Sequence, residues 1–104
     1  MSKIKVKIPK KQIADFCERW KVKQFALFGS VLRDDFRPDS DIDVLVSFSP
    51  DAPWNLFDFV TMQEELQKLF GRHVDFVEKE GLKNPFRKQS ILNSMKVIYE
   101  AERA

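Results

Sequence analysis

The chain has 104 residues, 43% of them hydrophobic, and its net charge of +2 at pH 7 conceals an acidic middle between two basic ends. This size and composition favour one packed domain over residues 1–104 and exclude a disordered tail, and no apolar run approaches the roughly 20 residues of a membrane-spanning helix. A single cysteine and the lack of a secretory signal predict a cytoplasmic protein, while the acidic middle argues against a plain nucleic-acid binder.

The first half of the chain reads as one helix followed by two strands. Helical spacing of apolar residues after Pro9 predicts the helix, and Cys17 on its apolar stripe is predicted to pack rather than to react. Val22 to Phe28 is predicted to be a strand. A polar, turn-rich stretch follows it, and the alternating, β-branched residues from Ile42 to Phe48 predict a second strand.

The second half predicts a helix, a strand and a last helix. The helix runs from about Asn55 to Phe70 and ends at Gly71 as its C-cap. Val74 to Val77 is predicted to be the third strand, and the last helix opens with Asn84-Pro85 and runs through Ile98. The predicted fold class is α+β, with a small mixed β-sheet and the helices packed on one face.

Three aspartates are the strongest candidates for chemistry. Strand alternation puts Asp41 and Asp43 on one face of the second strand, about 7 Å apart. Asp75 joins them if the third strand pairs beside the second, whereas His73 is predicted to lie on the face opposite Asp75. Clustered carboxylates are costly unless a cation lies between them, and oxygen ligands alone favour Mg²⁺ over zinc. Two such ions are a common device for displacement at phosphorus.

A glycine–serine turn follows the first predicted strand directly. Gly29 lets the backbone approach a phosphate closely, and the amides and hydroxyl at Ser30 are suited to bind an anion. Arg33 lies one turn later and could add charge-assisted hydrogen bonds to phosphate oxygens. The sequence therefore predicts a triphosphate-binding turn next to the aspartates.

The order and spacing of these residues are similar to a known signature. Gly29-Ser30, ten intervening residues and Asp41-Ile42-Asp43 resemble the signature of the DNA polymerase beta-like nucleotidyltransferase superfamily. Residues 28–46 resemble its minimal branch, and the resemblance extends over nearly the whole chain, including Asp75. It implies the nucleotidyltransferase fold, with a palm like that of polymerase beta. Asp34 departs from the pattern, because many members have a glycine after the arginine.

The resemblance implies a transfer of AMP from ATP to a hydroxyl with two Mg²⁺ ions. Asp41 and Asp43 would each bind the ions, and Asp75 would bind the catalytic ion and help to activate the attacking hydroxyl. Gly29 and Ser30 would hold the β- and γ-phosphates. Minimal members are often antitoxins encoded beside a HEPN-type protein, and they transfer AMP to a tyrosine of that partner and silence its ribonuclease activity.

The acceptor and its contact surface are less determined by the sequence. About thirty residues follow Asp75, too few to hold an acceptor, so a HEPN-type partner in a hetero-oligomer is expected to present it. Trp54 and Phe57 either contact that partner or roof the core. Two other functions stay open: an antitoxin-like subunit that neutralises its partner sterically, and a nucleotidyltransferase for a small molecule such as an aminoglycoside. Neither membrane association nor sequence-specific nucleic-acid binding is expected.

Overall fold

The helices and strands follow the predicted order up to the third strand in a computed structural model that describes residues 8–32 and 40–101. Within these residues the elements are α1 (Lys10–Arg19), β1 (Val22–Phe28), β2 (Ile42–Phe48), α2 (Leu56–Phe70), β3 (Val74–Glu78), α3 (Pro85–Ser94) and β4 (Lys96–Glu100). Short 3-10 turns lie at Gly29–Leu32 and Lys79–Gly81.

The four described strands form one mixed sheet in the order β3-β2-β1-β4. β1 pairs antiparallel with both β2 and β4, whereas β2 pairs in parallel with β3. The parallel pair requires a crossover, which α2 supplies. This topology brings the start of β2 beside the start of β3, and the end of β1 beside the start of β2.

One face of the sheet carries the main hydrophobic core, and α1 and α2 cover it. Alternate residues of each strand point to this face, as the strand period of two requires. The central buried residues are Ile13, Phe16 and Cys17 from α1, Phe25 and Leu27 from β1, Val44 and Val46 from β2, and Met62 and Leu66 from α2.

α3 lies on the opposite face, which differs from the predicted packing of all helices on one face. Ile91 of α3 is buried in a second, smaller cluster with Ala26, Phe28 and Leu45. The prediction of one helix-covered face therefore holds for α1 and α2 and is wrong for α3. The last helix covers the face toward which odd-numbered residues of β2 point.

α1 is fixed by burial and by contacts with α2. Cys17 is fully buried in the main core, as its place on the apolar stripe predicted, and burial, and after it the nearby Glu18 carboxylate, raises the pKa of its thiol to about 12. The Glu65 carboxylate accepts hydrogen bonds from the Arg19 guanidinium and from Trp20 Nε1, the latter at 3.0 Å. These donors, Arg19 first, lower the pKa of Glu65 despite its partial burial.

α2 has a defined start and end. The Asn55 side chain accepts from the Asp58 amide, and the Asp58 carboxylate accepts from the Asn55 amide, each at 3.0 Å, so the first turn has a reciprocal cap. Gly71 ends the helix at φ 71°, in the left-handed region that glycine adopts without a Cβ penalty. Among the described residues, no helix is long and apolar enough to cross a lipid bilayer.

The last predicted helix ends early, and a fourth strand takes its place. α3 ends at Ser94, because Met95 adopts extended angles (φ −65°, ψ 154°), and residues 96–100 form β4. The Ala101 amide donates to the Lys23 carbonyl at 2.8 Å, beside the β1–β4 ladder. The prediction of helix through Ile98 is wrong because pairing with the open edge of β1 outweighs the helical spacing of Ile91, Met95 and Ile98.

Candidate functional site

Two of the predicted aspartates lie side by side on neighbouring parallel strands. Asp43 of β2 is the register partner of Asp75 of β3. Register partners on adjacent strands point to the same face, and their backbones are about 4.8 Å apart. Asp43 is half-buried and Asp75 is exposed. The sheet therefore brings together two carboxylates that are 32 positions apart in the sequence.

Asp41 lies two residues before Asp43, at the point where β2 begins. Alternation puts it on the same side as Asp43, while Ile42 between them is fully buried under the helices. Across the described ranges, no three His, Cys, Asp or Glu side chains converge as a formed metal cluster. The three-aspartate metal site thus stays a prediction. Its donor chemistry, carboxylate oxygens from adjacent strand positions, fits a hard divalent cation such as Mg²⁺.

His73 is a residue of this site that the sequence analysis placed wrongly. Its Nδ1 lies 3.3 Å from Asp41 Oδ2, so it points to the aspartates rather than away from them. His73 immediately precedes β3 and lies two residues before Asp75, so strand alternation carried back by one residue puts both side chains on the same face. The period-two rule applied to β3 would have identified this histidine from the sequence.

The turn after β1 lies directly against the Asp43 carboxylate. Phe28, the last residue of β1, is the register partner of Asp43, and Gly29 follows it at φ 75°. A Cβ built on Gly29 would overlap Asp43 Oδ2 and would lie 3.1 Å from its Cγ. Glycine is therefore required here for two reasons, a left-handed backbone and close contact with a carboxylate.

The other predicted phosphate-binding residues are less fully described. Ser30 lies within the 3-10 turn Gly29–Leu32, which brings its backbone next to the start of β2. Arg33, and Asp34 after it, lie outside the described residues. The contribution of Arg33 to phosphate binding stays a prediction.

A groove at the other end of the sheet has none of the predicted site residues in its lining. Its volume is about 460 Å³, and Phe48, Trp54 and Glu78 are among the residues that line it. Burial, and then the neighbouring Glu80 carboxylate, raises the pKa of Glu78. This groove is separated from Asp43 and Asp75 by most of the length of β2, so it does not belong to the aspartate site.

The two aromatic residues proposed for a partner surface have different environments. Trp54 packs edge-to-face on Trp20, with ring centroids 5.0 Å apart, and its Nε1 donates to the Trp20 carbonyl at 2.6 Å. Trp54 therefore roofs the core. Phe57 is 81% exposed, and Leu56 and Val60 beside it are also exposed. These three side chains of α2 are therefore the exposed apolar residues of this region.

The amino-acid sequence matches a known protein family and is similar to a named relative. Residues 9–98 match the model of the nucleotidyltransferase domain. The protein adenylyltransferase MntA of Thermococcus cleftensis is 39% identical over 71 residues, which make up 68% of this chain and 70% of that protein.

Solved structures with the same fold include components of toxin–antitoxin complexes. A toxin–antitoxin structure with AMP-PNP has a TM-score of 0.72 at 18% identity and covers 91% of this chain and 76% of that chain. The structure of a tri-AMPylated HEPN toxin of Shewanella oneidensis in complex with an MNT antitoxin contains a chain that matches with a TM-score of 0.64 at 18% identity. The match covers 88% of this chain and 70% of that chain. These likenesses establish the mixed α+β fold.

Proposed function

The chain belongs to the nucleotidyltransferase domain family and is a nucleotidyltransferase, and from this premise we propose that it is an antitoxin that adenylylates a HEPN-type toxin. In this proposal it transfers AMP from ATP, with Mg²⁺, to a tyrosine hydroxyl of the partner. The relative in Thermococcus cleftensis is named a protein adenylyltransferase, and the structure from Shewanella oneidensis holds an AMPylated HEPN toxin together with an MNT antitoxin, which supports the proposal.

The observation that supports this chemistry best is the pairing of Asp43 with Asp75 beside the Gly29 turn. Carboxylates in this arrangement, with Asp41 two residues away, suit the binding of two Mg²⁺ ions. When bound, such ions neutralise the charge of the triphosphate. A purely steric blocker has no use for acidic side chains clustered at such electrostatic cost.

Each residue has a separate task in the proposed transfer. The Gly29–Ser30 turn holds the β- and γ-phosphates through backbone amides, which orients the α-phosphorus. The tyrosine oxygen bonds to the α-phosphorus while the bond from that phosphorus to the bridging oxygen of the β-phosphate breaks, and pyrophosphate leaves. We assign Asp75, on the exposed edge strand, to accept the proton of the attacking hydroxyl.

Mass spectrometry of the partner tests the proposed function. The proposed HEPN-type partner is incubated with this protein, ATP and Mg²⁺, and is then digested. We expect one or more AMP groups on a tyrosine-containing peptide, lost when Mg²⁺ is chelated, together with a fall in ribonuclease activity. Neutralisation of the toxin without any added AMP would instead identify a steric antitoxin. AMP transfer only to small hydroxyl compounds would identify a nucleotidyltransferase for a small molecule.

The exposed apolar residues of α2 are the proposed contact with the partner. Replacing Phe57 with serine is expected to weaken partner binding at least about 10-fold, because exposed aromatic residues are frequent binding hot spots. Binding is measured by calorimetry with the purified HEPN-type protein. Val97 of β4, 39% exposed on the edge strand farthest from β3, provides the control, and Val97→Ser should bind normally. Equal affinities of the two variants would remove α2 from the interface.

A further inference from the structure

The contacts that join the starts of β2 and β3 include three from Arg72 and His73. The Ile42 amide donates to the His73 carbonyl at 3.0 Å, Arg72 Nη1 donates to the Ser40 carbonyl at 3.3 Å, and His73 Nδ1 lies 3.3 Å from Asp41 Oδ2. The first contact is backbone pairing, which any residue at 73 could make. Only the third contact depends on the imidazole and reaches a carboxylate of the proposed site.

We propose that His73 is a positioning residue: its Nδ1 lies 3.3 Å from Asp41 Oδ2, and when a divalent cation binds it would donate a hydrogen bond to that carboxylate and hold it in the direction from which it binds the cation with Asp43. This inference rests on the proposed function. The hydrogen bond requires a donor at Nδ1 and does not require a charged ring. Hydrogen bonds from outside the ligand set commonly orient carboxylate ligands and tune their affinity.

The two aspartates of β2 differ in how much the fold itself restrains them. Asp43 is half-buried, and the Gly29 backbone lies against its carboxylate. The Asp41 side chain is 56% exposed and precedes the strand. Rotation about the side-chain torsions of an exposed aspartate costs little, so a fixed donor beside it has a larger effect on Asp41 than on Asp43.

The backbone of His73 is held firmly enough to fix such a donor. Val74, which follows it, is fully buried, and on the side away from β2 its main chain forms hydrogen bonds with the side-chain amides of two glutamines of α2. Gln63 Nε2 donates to the Val74 carbonyl at 2.6 Å, and the Val74 amide donates to Gln67 Oε1 at 3.3 Å. The imidazole therefore extends from an anchored strand start, although the ring itself is 59% exposed.

Two variants at position 73 test whether the hydrogen-bond donor of the histidine side chain is what matters. Asparagine places a side-chain N–H near the position of histidine Nδ1, whereas alanine has no donor. We expect H73A to weaken Mn²⁺ affinity, measured by electron paramagnetic resonance at fixed pH in the presence of ATP, by about 10- to 100-fold. H73N should stay within about threefold of the original protein. The melting temperatures of both variants should be nearly unchanged, since the ring is mostly exposed.

A double-mutant cycle shows whether His73 acts through Asp41. If it does, H73A has no further effect on Mn²⁺ affinity once Asp41→Asn is present, so the two losses are not additive. Equal affinity of H73A and the original protein, additive losses, or equal losses in H73A and H73N with lowered melting temperatures would each overturn the inference. Failure of the original protein to bind Mn²⁺ with ATP would contradict the proposed function itself, and this assay needs neither partner nor acceptor.

Discussion

Replacing Asp43 with asparagine is expected to lower AMP transfer by at least about 100-fold while the domain stays folded. Asparagine keeps the size of the side chain and removes the charge that would hold a divalent cation beside Asp75. Loss of a direct ligand should exceed the 10- to 100-fold effect typical of residues that only support a ligand. Transfer is measured with α-labelled ATP and the HEPN-type partner. The melting temperature should be unchanged or higher, because like charges directly opposite each other on neighbouring strands are destabilising.

The control for this substitution is an acidic residue of similar chemistry outside the site. Asp51 lies in the loop after β2, is exposed, and pairs with Lys21 at 3.3 Å. Asp51→Asn should transfer AMP normally, since Asp51 lies outside the site and an exposed ion pair contributes little to the stability of the fold. Mg²⁺ with ATP should raise the melting temperature of this control and of the original protein, and should have a smaller effect on Asp43→Asn. Full transfer activity in Asp43→Asn would exclude the aspartate site.

Replacing Gly29 with alanine is expected to impair both stability and transfer. A non-glycine residue at φ 75° costs about 1–2 kcal/mol. In addition, the new methyl group would overlap Asp43 Oδ2, so the carboxylate or the turn must move. A displacement near 1 Å in a reacting arrangement commonly lowers the rate by about 100-fold. Both the melting temperature and the labelled-ATP assay should therefore change.

Gly71 offers a matched control because it has the backbone strain without the collision. Its φ is 71°, and no atom lies within 4 Å of a Cβ built there. Gly71→Ala should lose a similar amount of stability and keep normal transfer at a temperature where both variants are folded. If Gly29→Ala and Gly71→Ala transferred AMP equally well, contact between the turn and Asp43 would have no catalytic importance.

Local sequence patterns predicted most of the individual elements. The bounds predicted for β1 and β2 agree with the structure, and α2, predicted from about Asn55 to Phe70, runs from Leu56 to Phe70 and ends before Gly71 as expected. These elements have strong local determinants: caps, glycine ends and a clear period of hydrophobic residues. The helix predicted through Ile98 lacked such a determinant at its end, and there the prediction failed.

The arrangement of the site could be predicted only in part. The pair Asp41 and Asp43 follows from strand alternation within one segment. The position of Asp75 was predicted conditionally, because nothing in the sequence states that β3 pairs with β2, and the register partners confirm that condition. His73 was placed on the wrong face although the same alternation rule was available.

The sequence by itself determined most of the elements, the aspartates at the starts of two strands and the glycine–serine turn, because these depend on residues only a few positions apart. Tertiary structure decided which strand pairs with which, that α3 crosses to the second face, and that residues 96–100 leave the helical pattern to pair with β1. It also decided that Trp54 packs on Trp20 while Phe57 stays exposed. The physical reason is that an open sheet edge or an uncovered core exists only after distant segments have come together, so local patterns carry no record of it.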